Sequence, residues 1–248
     1  MQSYTPTYIC LFDAFQLPIS TNNPVDEASS DKVNLDDVNL IDIPHLPVNH
    51  RLPISGIEVI VRCMRRDEIR LFYDVQKIVV RSNAGYGYDE LPSFSYFVKY
   101  YLDNCCNVVY EMTPTPRKSA SSTDDDGHDR IIAFSNFGAS QFARDNCSIH
   151  SAGNFIALPK HRGKRLAAEL MTVHFGLGVD MGYPGAFTET AATNVAVLRN
   201  MTALGNIVTG TVPKGIFFLD QGWVDLVTLH VPPGHIPPFK QQLLSAKM

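Results

Sequence analysis

The sequence has no Cys-x-x-Cys pair, no His-x-x-x-His pair and no apolar run near the ~18 residues that a membrane span requires. Its five cysteines, an odd number scattered at positions 10, 63, 105, 106 and 147, do not form a disulfide framework or a structural zinc site. We therefore expect a reducing compartment and no metal. Net positive charge is lacking too: 21 Lys and Arg stand against 25 Asp and Glu, so no global field draws the chain to nucleic acid or anionic lipid. The stretch Met1 to Pro6 has no basic residue, and the apolar run from Tyr8 to Phe12 is too short for the core of a secretory signal. The expectation is a cytoplasmic protein, or a nuclear one, with no membrane and no nucleic-acid partner.

What is present is the composition of a folded domain, 248 residues with 45% hydrophobic and 19% charged. Residues 20 to 50 carry six acids, one lysine and three prolines, which reads as a solvated arm or strap. We set apart 1–55 as that arm, 56–235 as the domain and 236–248 as a proline-rich tail. Within the domain, Ile57 to Arg62 alternates as a half-buried strand does, and Ile69, Phe72, Tyr73, Gln76 and Val80 recur at helical spacing. A second helical tract follows Pro92. Strand-like runs at 107–112, 130–142 and 148–158 form an antiparallel meander. Then come a helix at 163–177 with Leu166, Leu170, Val173 and Leu177 on one face, closed by Gly176 and Gly178, and a strand at 186–190. A short helix from Asn194 stops at Gly205, and strands at 206–212 and 223–231 finish the domain.

One junction carries chemistry. Between Ala157 and Ala167 a strand end, a proline, the basic turn Lys160-His161-Arg162-Gly163-Lys164-Arg165 and a helix start follow one another. Free amides and the positive end of a helix dipole bind phosphate, and the side chains of Arg162, Lys164 and Arg165 add charge, so a pyrophosphate suits the site. A nucleic-acid patch explains the same basic run less well, because no aromatic platform interleaves with it.

This segment resembles the pyrophosphate loop of the GNAT superfamily of N-acetyltransferases, R/Q-x-x-G-x-G/A, with Arg162 on its first position, Ala167 on its last and Arg165 where the family has its central glycine. Asn194, Met201 and Gly205 match the spacing of the family's N-x6-Y-x3-G element, with methionine at the tyrosine position, and Asp225 falls at an often acidic place in the last strand. A weaker similarity is to fungal acetyltransferases of proline analogues. The resemblance implies an α+β fold, a mixed and mostly antiparallel sheet flanked by helices, whose central parallel strands splay apart. It implies acetyl-CoA as cofactor, held by Ile156, Ala157, Leu158, Arg162, Gly163, Lys164, Arg165, Leu166, Ala167 and Asn194. It also implies direct attack of an amine on the thioester.

For the base, Glu189 stands first, on the strand before Asn194, with His150 second; the rival role for Glu189 is a solvated surface acid. Tyr183 is the candidate acid, since Met201 has no proton to give, although a thiolate is a weak enough base to leave unaided and Tyr183 also suits turn packing. The resemblance places Tyr86, Tyr88, Asp89 and Glu90 near the acceptor. His174 reads as a boundary residue of its helix. The expected activity is acetyl transfer to an amine of a small molecule, in a monomer or a homodimer. A catalytically silent acyl-CoA-binding module and a protein N-acetyltransferase are the alternatives.

Overall fold

In a computed structural model the described residues are 33–81, 93–103, 105–114, 130–139, 150–158, 161, 166–218 and 220–245. The alternating stretch after Gly56 forms β3 (Glu58–Cys63), with Val59 and Val61 fully buried. The tract spaced at three and four forms α1 (Ile69–Arg81), and Ser93 caps α2 (Phe94–Phe97), which runs on through a π-type turn at Val98–Leu102. Phe72 of α1 stacks on Phe134, with centroids 4.9 Å apart, and Phe97 closes on it edge-to-face.

The meander is β4 (Cys105–Met112), β5 (Ile131–Ala139) and β6 (His150–Ala157). Next are α3 (Leu166–Asp180), β7 (Ala186–Ala191), α4 (Val195–Ala203), β8 (Ile207–Phe218) and β9 (Gly222–Val231). All strands join one sheet, which runs β3-β4-β5-β6-β7-β9-β8 with β2 (Val48–Arg51) outside β3 and the two-residue β1 (Leu40–Ile41) beside β4, and it is mixed because β6 and β7 run parallel around the α3 crossover. The helices α1 and α2 cover one face over β4 and β5, while α3 and α4 cover the other. The α+β architecture with a mostly antiparallel sheet is the one expected.

Four segments differ from the reading of the sequence. The acidic stretch supplies β1 (Leu40–Ile41), parallel to β4, and β2 (Val48–Arg51), antiparallel to β3. Average composition hid the apolar Val38, Ile43 and Leu52, which are buried. Its turn is held by Glu169 in the first turn of α3, whose Oε1 accepts the Ile54 N–H at 2.6 Å and the Ser55 N–H at 3.2 Å. At the other end the proline-rich segment forms α5 (Phe239–Ser245), with Phe239 fully buried.

Gly176 and Gly178 do not close α3, which runs to Asp180 before Gly182 turns the chain at φ +93°. Gly176 serves a close approach instead: a Cβ there would lie 3.1 Å from the Phe239 amide nitrogen. Because α5 covers that side, α3 is buried between helix and sheet, and His174 is no boundary residue. It is 1% exposed, with Nδ1 3.1 Å from Ser135 Oγ, which in turn lies 3.0 Å from the Tyr110 hydroxyl. Finally, β8 extends past Val212 because the backbone kinks at Pro213–Gly215 rather than ending there. Lys214 takes φ 52°, and its N–H donates to Asp225 Oδ1 at 2.9 Å.

No helix of the described residues is long and apolar enough to cross a membrane. Replacing Gly176 with valine pushes side-chain atoms into the backbone of α5 and is expected to cost about 1–3 kcal/mol of stability, read as a lowered urea midpoint.

Candidate active site

Parallel neighbours joined by a crossover helix ordinarily pair along their whole length. Here, among the described residues, β6 and β7 pair only at His150↔Ala186 and Ser151↔Phe187, and past Ser151 and Phe187 they part. The outer ladders continue: β6 stays on β5 as far as Ala133↔Ala157, and β7 stays on β9 as far as Ala191↔Leu226. The sheet therefore forks at its centre.

A bulge accompanies the fork. Between Ser135↔Phe155 and Phe137↔Ala152 the register of β5 and β6 shifts, so Gly153 and Asn154 together oppose Asn136. An extra residue in one strand bends it and strengthens its twist, which turns β6 away from β7 just after the last shared rung.

The ladders say which backbone groups face the gap. Leu158 N–H donates to Ile132 O at 2.8 Å, and in an antiparallel pair alternate residues point to opposite edges, so Ala157 and Phe155 turn their N–H and C=O toward β7. Likewise Ala192 N–H donates to Asp225 O at 2.8 Å, which turns the backbones of Ala191 and Glu189 toward β6. Two rows of unpaired amides and carbonyls thus line a cleft that a ligand with its own amides can bridge.

Both following helices start at the open end of this cleft. Leu166 begins the described part of α3, and Leu166 and Ala167 lie in its first turn, while Asn194 caps α4 by accepting the Val197 N–H at 3.3 Å. Of the residues proposed from sequence to hold the cofactor, Arg162, Gly163, Lys164 and Arg165 lie outside the described residues. So do Tyr86, Tyr88, Asp89 and Glu90. Ile156, Ala157 and Leu158 lie on the cleft strand and at its end, with Ile156 paired to Phe134 and its backbone directed to β5 by the same alternation.

Glu189 stands on the β7 arm of the fork, its cross-strand neighbour being Thr228. The residue is exposed, yet the surrounding chain desolvates its carboxyl and raises its pKa above the ordinary carboxylate value. Tyr183 is not brought to the same place. It lies before the closed end of the fork, packed edge-on against Phe137 with centroids 6.5 Å apart, and burial followed by Cys106 and Cys105 raises its pKa. His150 sits one rung before the fork opens, opposite Ala186. Met201 is buried, with Phe175 and Leu229, in the core beneath α4.

A cavity of about 440 Å³ lies elsewhere, lined by residues such as Asp42, Pro47, Arg62 and Cys63. Its cation is engaged, since Arg62 is ion-paired with both Glu68 and Glu111. Burial also raises the Cys63 thiol pKa, which keeps it protonated. Among the described residues no cluster of His, Cys, Asp or Glu could hold a metal. Reading the sequence missed the bulge, although Gly153 in the middle of a strand pattern is the signal that marks one.

A raised carboxylate pKa in the folded protein has a signed consequence. The folded Glu189 holds its proton to higher pH than the unfolded chain does, so wild type should lose stability relative to Glu189→Gln as pH rises from the ordinary carboxylate range through the raised value. In more acid solution the difference should vanish. Denaturant titrations of both proteins across that window check it.

No family model and no curated protein matches the chain. Solved structures do. The GCN5-related N-acetyltransferase from Kribbella flavida is 19% identical with a TM-score of 0.55, covering 70% of this chain and 97% of that one. The spermidine N-acetyltransferase from Vibrio cholerae, solved with CoA and spermine, is 13% identical with a TM-score of 0.54, covering 72% and 97%. An acetyltransferase of the GNAT family from Streptococcus pneumoniae is 10% identical with a TM-score of 0.51, covering 69% and 98%. With its forked sheet and the helix order around it, the chain has the fold of the GNAT superfamily of N-acetyltransferases.

Proposed function

We propose that the protein is an acetyl-CoA-dependent N-acetyltransferase acting on an amine of a small molecule. The observation that carries this reading is the fork. Its two rows of backbone groups, on Phe155 and Ala157 and on Glu189 and Ala191, suit the alternating amides of a pantetheine arm. The basic turn Arg162 to Arg165 lies in sequence between β6 and α3, where a diphosphate needs donors. When bound, acetyl-CoA supplies the acetyl group as a thioester, whose C–S bond breaks as the amine nitrogen bonds to the acyl carbon.

The chain's own residues do the rest. The Glu189 carboxylate accepts a proton from the incoming ammonium, and its raised pKa brings it nearer the range in which a carboxylate is an effective base. Backbone N–H groups of the β6 arm beside the bulge would stabilise the charge that a thioester oxygen gains there. The thiolate departs without an acid from the family's tyrosine position, since Met201 is buried in the core and has no proton to donate. That methionine also motivates the rival reading of a silent acyl-CoA-binding module, which predicts tight CoA binding with no CoA release from any amine. A cytoplasmic location goes with either reading.

Calorimetric titration with acetyl-CoA tests the site. Saturable binding well below millimolar is expected, with the Arg162→Ala, Lys164→Ala double variant weaker by about tenfold or more. Unchanged affinity in that variant, or no binding by wild type, refutes the assignment. In a CoA-release assay Glu189→Gln should lower kcat/KM by about 100-fold or more and remove the acid limb of the pH profile.

A further inference from the structure

In the half of the sheet beyond the fork the helices of the described residues cover one face, and the other is half-buried to exposed except at Ala191. Val227, Leu229 and Val231 of β9 are buried against α3 and α4 with Met171 and Met201, so Leu226, Thr228 and His230 point to the other side. Cross-strand partners share a face, and the registers therefore set out three rows across β8, β9 and β7. The middle row is Gly210, Thr228 and Glu189. On one side of it run Ile207, His230 and Phe187, and on the other Val212, Leu226 and Ala191.

The heights of these rows differ. The middle row begins with a residue that has no side chain, and the Thr228 hydroxyl lies down over it, donating to Gly210 O at 3.2 Å. A Cβ on Gly210 would meet that hydroxyl at 3.1 Å. The flanking rows stand higher at their outer ends, where Ile207 is 52% and Val212 50% exposed. The face is thus a shallow groove across the strands, floored by glycine and threonine, walled largely by apolar side chains, and ended by a carboxylate on the strand that borders the fork. Glu189 is the one acid in the three rows, and Phe187, two residues before it on the same strand and face, can offer a ring to a cation.

We infer that this groove is the acceptor site and that it selects a singly charged amine on an elongated apolar body, the ammonium at Glu189 and the body lying over Gly210 between Ile207 and Val212. The inference rests on the acetyl-transfer reading for its chemistry, but not for the binding it describes. A polyamine has a second and third cation to satisfy, and on this face no second acid stands beside Glu189: its row continues to Thr228 and Gly210, flanked by Ile207, His230 and Phe187 on one side and by Val212, Leu226 and Ala191 on the other. A long alkyl chain gains from burial against those same walls, and an apolar wall does not discriminate finely among chain shapes.

Two measurements test this together. Binding of hexylamine and of spermidine is measured by calorimetry with CoA present, which needs no turnover, and CoA release from acetyl-CoA is followed with both amines and with methylamine. Hexylamine should bind about tenfold or more tightly than spermidine and give the higher kcat/KM. Gly210→Leu fills the floor and should raise the KM for hexylamine about tenfold while leaving those for methylamine and acetyl-CoA in place. Thermal melting confirms that the variant folds, and Gly210→Ala, which asks Thr228 to yield by only a few tenths of an ångström, serves if the larger side chain does not. Tighter binding of spermidine, or Gly210 variants that fold and bind hexylamine as wild type does, overturns the inference and leaves acetyl transfer standing. Hexylamine binding at Gly210 without CoA release from any amine upholds the groove and refutes the transferase.

Discussion

Two rungs of backbone pairing hold the centre of the sheet together, and nearly everything functional follows from there being no third. Unpaired N–H and C=O groups buried in a protein cost on the order of 1–3 kcal/mol each, so a strand pair that opens inside a sheet must leave its groups to water or to a ligand. The bulge at Gly153–Asn154 is the covalent cause of the opening, since one added residue re-aims β6 while leaving its ladder with β5 intact on either side. What the divergence creates is a slot with donors and acceptors on both walls, at the end of the sheet where two helices begin. The groove inferred for the acceptor ends at the same slot, so the two halves of the proposed reaction would meet at Glu189.

The first helix tract was legible because all of Ile69, Phe72, Tyr73, Gln76 and Val80 face one core, and amphipathic spacing reports that directly. The element order was legible for the same reason. Less was visible where burial comes from two sides. α3 is covered by sheet and by α5, so its glycines look like terminators and His174 looks like an edge residue, when both are interior. The acidic segment misled in the opposite way: a few well-placed apolar residues outweigh an average charge, and β2 earns its place by pairing rather than by composition.

At the site, spacing located the strand and the helix start, and it put Glu189 on the strand before Asn194, each of which is a statement about position along the chain. Tyr183 was chosen as a chemical type near the right position, and tertiary packing carried it to the closed side of the fork against Phe137. The groove could not be read from sequence at all. It depends on a register between β8 and β9 that shifts around Thr209, and a one-residue slip in either direction exchanges the faces of every residue that builds it.

Helix α3 is pinned near both ends, by Glu169 on the β2–β3 turn and by the contact of Gly176 with α5, where Asp180 also accepts the Lys240 N–H at 3.1 Å. Ten residues separate Leu166 from Gly176, about 15 Å of rigid helix. It behaves as a lever whose fulcrum lies in the last helix of the chain. A tilt of about five degrees at that fulcrum swings the amide-bearing end by about an ångström, a displacement large enough to misalign a reacting group. The aim of the α3 end proposed to face the diphosphate is therefore set by the hold of Glu169 on the β2–β3 turn and by the packing of Gly176 on α5.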